Sequence, residues 1–141
     1  MEPVLVEADK QGNIAAFDAA GLFEQGQNAL ASQKWALCDE SFERLISKFP
    51  DSRYVHAALY NRGLCLEHRR LHDLAANVFR RHAQLSSDPK DRLDGLFRMG
   101  FNLVRGKSWV EASHLYDQLL QSEQLGAADK AECYLRRATA L

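Results

Sequence analysis

Apolar residues in this chain fall on a helical spacing, in paired blocks. Leu59, Tyr60, Gly63, Leu64 and Leu66 form one block on a 3.6-residue period, and Leu71, Leu74, Ala75, Val78, Phe79 and Leu85 form the next. The pair recurs with a step of 37 residues. Phe23, Tyr60, Phe97 and Tyr134 keep that step, as do Leu22, Leu59 and Leu96, and Gly26, Gly63 and Gly100. The second block repeats as Trp35/His72/Trp109, Cys38/Ala75/Ala112 and Phe42/Phe79/Tyr116. The spacing predicts helices over 14–32, 35–48, 53–69, 72–85, 90–106, 109–122 and 127–140. No segment shows sustained strand alternation, so the expected fold class is all-α, with 1–13 as an N-terminal lead segment.

The recurring positions imply how the helices meet. A small residue at the Gly26/Gly63/Gly100 slot lets one helix approach its partner closely, and Cys38/Ala75/Ala112 supply the matching small contact. The large residue four positions later, at Phe42/Phe79/Tyr116, lies on the same helical face and fills the space beside it. Boundary chemistry agrees. Pro50-Asp51-Ser52 breaks a helix and offers Ser52 as the next N-cap, Asp88-Pro89 is a cap followed by proline, and Ser108 to Glu111 has capping-box spacing. A period in this range marks an array whose units bury apolar surface by stacking on their neighbours.

Composition narrows the picture by exclusion. The 141 residues are 46% hydrophobic and 26% charged, with a net charge of −1, so no global field draws the chain to nucleic acid or anionic lipid. No stretch approaches the roughly 20 apolar residues of a membrane span. Met1-Glu2-Pro3 does not begin a secretory signal, so an exported form is expected to carry its targeting segment outside this sequence. Cys38, Cys65 and Cys133 fall on apolar or small helix faces, where cysteine packs as a small hydrophobe. That reading is preferred to a disulfide, a metal site or a nucleophile.

Leu22, Gly26, Trp35, Cys38, Phe42, Leu45 and Pro50 in the first unit resemble the tetratricopeptide repeat pattern. Leu59, Gly63, Ala75 and Phe79 continue the resemblance, as do Leu96, Gly100, Ala112, Tyr116 and Leu119. It implies a right-handed α-solenoid over 14–141, built of three helix pairs at about 19–52, 56–89 and 93–126 and a final helix at 127–141. It also implies a non-catalytic scaffold that binds a protein or peptide. Phe49-Pro50-Asp51-Ser52, followed by Ala58-Leu59-Tyr60 and Gly63, is similar to a joint in bacterial envelope proteins. Those include the periplasmic Tol-Pal coordinator family and tetratricopeptide lipoproteins of outer-membrane assembly. This narrower resemblance suggests the periplasm or cell envelope, with the cytoplasm as the alternative.

In this family the first helix of each pair lines a concave groove. The resemblance places Phe23, Gln27, Tyr60, Asn61, Leu64, Phe97, Arg98, Phe101 and Tyr134 there as the expected partner-binding residues. An amphipathic or extended peptide would use the aromatics as anchors and Arg98 as an orienter. The same aromatics could instead pack between neighbouring repeats, and sequence leaves both readings open. A carboxylate clamp for chaperone tails is not expected. Among its slots only Asn61 and Arg98 match, and Asp94 would repel a carboxylate where the family needs a cation.

Other chemistry is weaker. His68 and His72 are four apart, but a helix break is expected between them, and His72 and His82 hold slots used elsewhere for packing. No nucleophile elbow, phosphate loop or HExxH occurs, so no enzyme, cofactor or metal is expected. Arg69-Arg70, Arg80-Arg81 and Arg136-Arg137 read as solvated helix faces rather than a nucleic-acid surface. At the C-terminal end Arg137 replaces the repeated glycine and would suit a capping helix, whereas Leu135 and Leu141 would suit an array that continues. The continuing array is the expectation taken. A structural or oligomeric role, with assembly through the ends of the array, is the alternative to peptide recruitment.

Overall fold

The computed structural model describes residues 3–8, 14–122 and 125–140. Its element order is β1 (Val4–Ala8), β2 (Ile14–Asp18), α1 (Ala19–Ala31), α2 (Trp35–Lys48), α3 (Val55–His68), α4 (His72–Leu85), α5 (Pro89–Arg105), α6 (Trp109–Leu120) and α7 (Ala127–Ala140). The fold is all-α and tetratricopeptide-like, with a short hairpin before the first helix. No described helix is long and apolar enough to cross a membrane. The chain divides into two compact bodies, Met1–Arg69 and Arg70–Leu141.

In the first body α1 packs on α2 and α2 on α3. Leu22, Cys38, Phe42, Leu45, Ala58, Leu59, Cys65 and Leu66 form its core. The glycine reading holds here in atomic terms. A β-carbon at Gly26 would lie 2.6–2.8 Å from three atoms of the Phe42 ring, so the bare backbone makes room for that ring. Asp39 of α2 takes Arg62 at 2.9 Å and Arg69 at 2.5 Å, tying α3 to α2. Trp35 stacks on His68, their ring centroids 3.9 Å apart.

Two expectations change in this body. Helix α1 begins at Ala19 rather than 14, because Ile14–Asp18 pairs antiparallel with Val4–Ala8, in register Val4↔Asp18 to Ala8↔Ile14. Asp18 then starts the helix as N-cap, its carboxylate accepting from the Gly21 amide at 2.6 Å. Residues 1–2 and 9–13 of the expected lead segment lie outside the described residues. The hairpin is held by Glu7, which pairs with Arg44 of α2, and by the Arg44 guanidinium 5.5 Å from the Phe17 ring centroid. The second change concerns the cysteines. Cys38 and Cys65 form a disulfide between α2 and α3, with a Cα–Cα distance of 6.0 Å. The two residues face each other from neighbouring helices, which periodicity along one helix does not reveal. Cys133 is free and buried, as the packing reading expects.

In the second body α4 packs on α5, α5 on α6 and α6 on α7. Ala75, Phe79, Ala83, Leu103, Ala112, Tyr116 and Cys133 are buried there. Asp88 caps α5 through the Lys90 amide at 3.1 Å, with Pro89 in the first turn as expected. The other two caps differ. Ser52 accepts from the Tyr54 amide at 3.1 Å and shapes the turn, while Tyr54 itself is the N-cap of α3. Ser108 makes no side-chain cap to α6, so the capping box does not form.

The chain leaves α1, α3 and α5 by one device. Gln33, Arg70 and Lys107, again 37 apart, have φ of 59°, 61° and 64°. After α1 the Gln33 amide donates to the Leu30 carbonyl and the Lys34 amide to the Ala29 carbonyl. After α5 the Lys107 and Ser108 amides repeat this on Val104 and Leu103. This crossed pair is a Schellman turn, and it uses non-glycine residues in the left-handed region.

Candidate functional site

Helix α5 is fixed from behind. A β-carbon at Gly95 would meet the imidazole of His82 at 2.7 Å, and one at Gly100 would collide with the Tyr116 hydroxyl. Asn102 is fully buried; its amide donates to the Arg98 carbonyl at 2.9 Å, and its Oδ1 lies 2.9 Å from His72 Nδ1. These contacts hold the packed side of α5 against α4 and α6. Its opposite stripe, Asp94, Phe97, Arg98 and Phe101, follows the i, i+3, i+4, i+7 spacing of a single face.

That face meets α7 across a cleft of about 320 Å³, lined by Asp94, Phe97, Arg98 and Phe101 from α5 and by Asp129, Glu132 and Arg136 from α7. Phe97 and Phe101 are half-buried, so each ring keeps part of its surface open. The guanidinium groups of Arg105 and Arg136 stand 5.4 and 5.9 Å from the Phe101 centroid, within cation–π range. Arg136 Nε also donates to Glu132 at 2.6 Å. Tyr116 lies under this floor with its hydroxyl fully buried and without a hydrogen-bond partner among the described residues. Burial pushes its pKa up to about 12, against the pull of the nearby Arg136 charge. Burial, seconded by Asp129 and Glu132, also raises the Cys133 pKa, so that thiol stays protonated and unreactive.

The expected groove residues divide between the two bodies. Phe97, Arg98 and Phe101 share the α5–α7 cleft. Tyr134 is 57% exposed on α7, with the Arg137 guanidinium 5.5 Å from its ring. In the first body Phe23 stacks on Tyr54 at 5.0 Å and meets the Phe42 ring edge-on at 5.8 Å. Gln27 is exposed, and Tyr60, Asn61 and Leu64 are half-buried on α3.

Sequence reasoning missed the α7 side of the cleft. Asp129, Glu132 and Arg136 stand at i, i+3 and i+7, a spacing that marks one helical face. The basic pairs are also more engaged than solvated faces would be. Arg136 lines the cleft, Arg137 bonds Asp117 at 2.7 Å, Arg69 bonds Asp39, and Arg80 pairs with Glu111. The two histidines flanking the α3–α4 break have separate partners, Trp35 for His68 and Asn102 for His72. No trio of His, Cys, Asp or Glu poised for a metal occurs among the described residues.

Comparison with known proteins adds one result. Residues 20–52, which span α1 and α2, match the tetratricopeptide repeat family. The match agrees in register with the first of the three sequence units. No curated protein matches the chain. The tetratricopeptide fold is a non-catalytic interaction scaffold, and its domains bind proteins or peptides.

Proposed function

We propose that this tetratricopeptide-like chain recruits a protein or peptide through the α5–α7 cleft. The observation that carries the reading is the pair Phe97 and Phe101, part-open on the one face of α5 that its packing leaves outward. Half-buried aromatics over a shaped depression are the usual anchors of a peptide interface. The cleft lies within one body and owes nothing to any arrangement between the two. Nucleic acid is disfavoured by the net charge of −1 and by the carboxylates on the cleft wall.

The oxidised Cys38–Cys65 pair favours an oxidising compartment, in keeping with the envelope-like joint at Phe49–Ser52. The second reading, assembly through the end of the array, is favoured by Tyr134 and Leu135, which are 57% and 65% exposed on α7. Site-specific photo-crosslinking separates the two. A crosslinker at position 97 should capture a heterologous partner, whereas one at Val110, on the exposed start of α6, should not. Crosslinks from position 135 to a second copy, with none from 97, would replace the recruitment reading with assembly.

A further inference from the structure

The α5–α7 cleft joins two kinds of surface. Its floor is aromatic, with Phe97 and Phe101 on successive turns of α5. Its walls carry three carboxylates, Asp94, Asp129 and Glu132, against two guanidinium groups, Arg98 and Arg136. Glu132 is engaged by Arg136. Asp94 and Asp129 are exposed, one on each wall. The lining therefore carries one carboxylate more than it has guanidinium groups, beside ring faces that attract cations.

The cleft also shows its own mode of recognition from inside. Arg136 lies over Phe101 with its charge on Glu132, and Arg105 approaches the same ring. Both bring a guanidinium within cation–π range of the ring, and Arg136 bonds the Glu132 carboxylate at the same time. Phe97 offers a second floor position near Asp94, three residues before it on the same stripe. There is no matching cation from this chain over Phe97 among the described residues. An incoming lysine or arginine could repeat at Phe97 and Asp94/Asp129 what Arg136 does at Phe101 and Glu132.

We infer that the occupant of the cleft is a basic peptide segment, with a lysine or arginine laid over Phe97 toward Asp94 and Asp129 and an apolar neighbour against Phe101. This rests on the recruitment reading above and adds the chemical class of the partner. A carboxylate-bearing or acidic segment would meet like charge on both walls.

The test is fluorescence anisotropy of the full chain with three labelled peptides of equal length, in which Leu and Phe alternate with Lys, with Glu or with Gln. The basic peptide should bind at least roughly tenfold tighter than the acidic one, and its affinity should fall as salt rises. Asp94→Asn/Asp129→Asn, both at exposed positions, should cost the basic peptide roughly tenfold and leave the neutral one unchanged. Phe97→Ala/Phe101→Ala should weaken the basic and neutral peptides alike, with circular dichroism verifying that each variant folds. Equal or tighter binding of the acidic peptide, or no effect of the Asn pair, overturns the basic-peptide inference. If the Ala pair still abolishes binding in that case, the cleft itself stands as the site. If the Ala pair changes nothing, the recruitment site is wrong as well. Binding of none of the three overturns the inference outright.

Discussion

Replacing Gly26 with alanine sets two effects of similar size against each other, and the structure decides the sign. In an exposed helix the change would stabilise by about 1 kcal/mol, since glycine is the poorest helix former after proline. At this position the new methyl would stand 2.6–2.8 Å from three carbons of the Phe42 ring, where about 3.5–4 Å is comfortable. The ring is fully buried and lies edge-on to Phe23, so it has no open side to move into. Overpacking of this kind costs about 1–3 kcal/mol, and so severe an overlap belongs in the upper half of that range. The net expectation is a loss of about 1–2 kcal/mol, or a melting temperature lower by roughly 3–8 °C. Urea denaturation followed by circular dichroism measures it, in a cycle with Phe42→Leu. Shrinking the ring should recover most of the loss, giving a coupling of about 1 kcal/mol or more. A Gly26→Ala protein as stable as the wild type, or more stable, would refute the close approach of α1 to α2.

Three further outcomes are expected. Gln33→Gly and Lys107→Gly should each raise the unfolding free energy measured in urea by up to about 1 kcal/mol, because both residues hold the left-handed conformation that glycine adopts without penalty. Tyr116 has a folded pKa of about 12, above its ordinary 10.0, so the native state holds the phenolic proton more tightly than the unfolded chain. Its contribution to stability is intact below about pH 10 and is lost as pH climbs through about 12, with a ceiling near 2–3 kcal/mol. Tyr116→Phe should flatten that alkaline decline, and an unchanged pH profile would exclude Tyr116 as its source. Under non-reducing denaturation only Cys133 should accept an alkylating label, rising to three labels after reduction. Loss of the 27-residue crosslink should then lower stability by about 3 kcal/mol.

Local periodicity carried the helices well. The expected bounds of α2, α4 and α7 coincide with those observed, because each starts a clear apolar stripe and stops at a break in it. Pairing between distant segments is a different kind of information. Ile14-Ala15-Ala16-Phe17 reads acceptably as the first turn of a helix, and nothing within it names Val4–Ala8 as a partner. The cysteine bridge was hidden in the same way, since nothing on its own helix marks either Cys38 or Cys65 as the other's partner. At the cleft, carrying the Phe97 slot forward by one period points to Tyr134. A helix beside α5, however, presents its flank rather than the equivalent stripe, and that flank is Asp129, Glu132 and Arg136. Phe23 shows the converse: its partner Tyr54 lies in the joint before α3, where no helical period operates.

The left-handed turns after α1 and α5 also say where this chain can be cut and copied. Each occupies three residues, 32–34 and 106–108, with a crossed pair of amide bonds that admits no extra residue without breaking both. The joints between pairs obey no such rule. Residues 49–54 link α2 to α3, while only 86–88 link α4 to α5, and α5 recovers the difference by starting three residues earlier in its period. Length at the joints is thus exchangeable between loop and helix, and Pro50 and Asp51 stand exposed in the longer one. A cassette excised at Asp51 would carry a whole turn inside it and place its seam where a loop already varies. The module suited to duplication, grafting or insertion in this protein therefore runs from joint to joint, with the rigid turn protected at its centre.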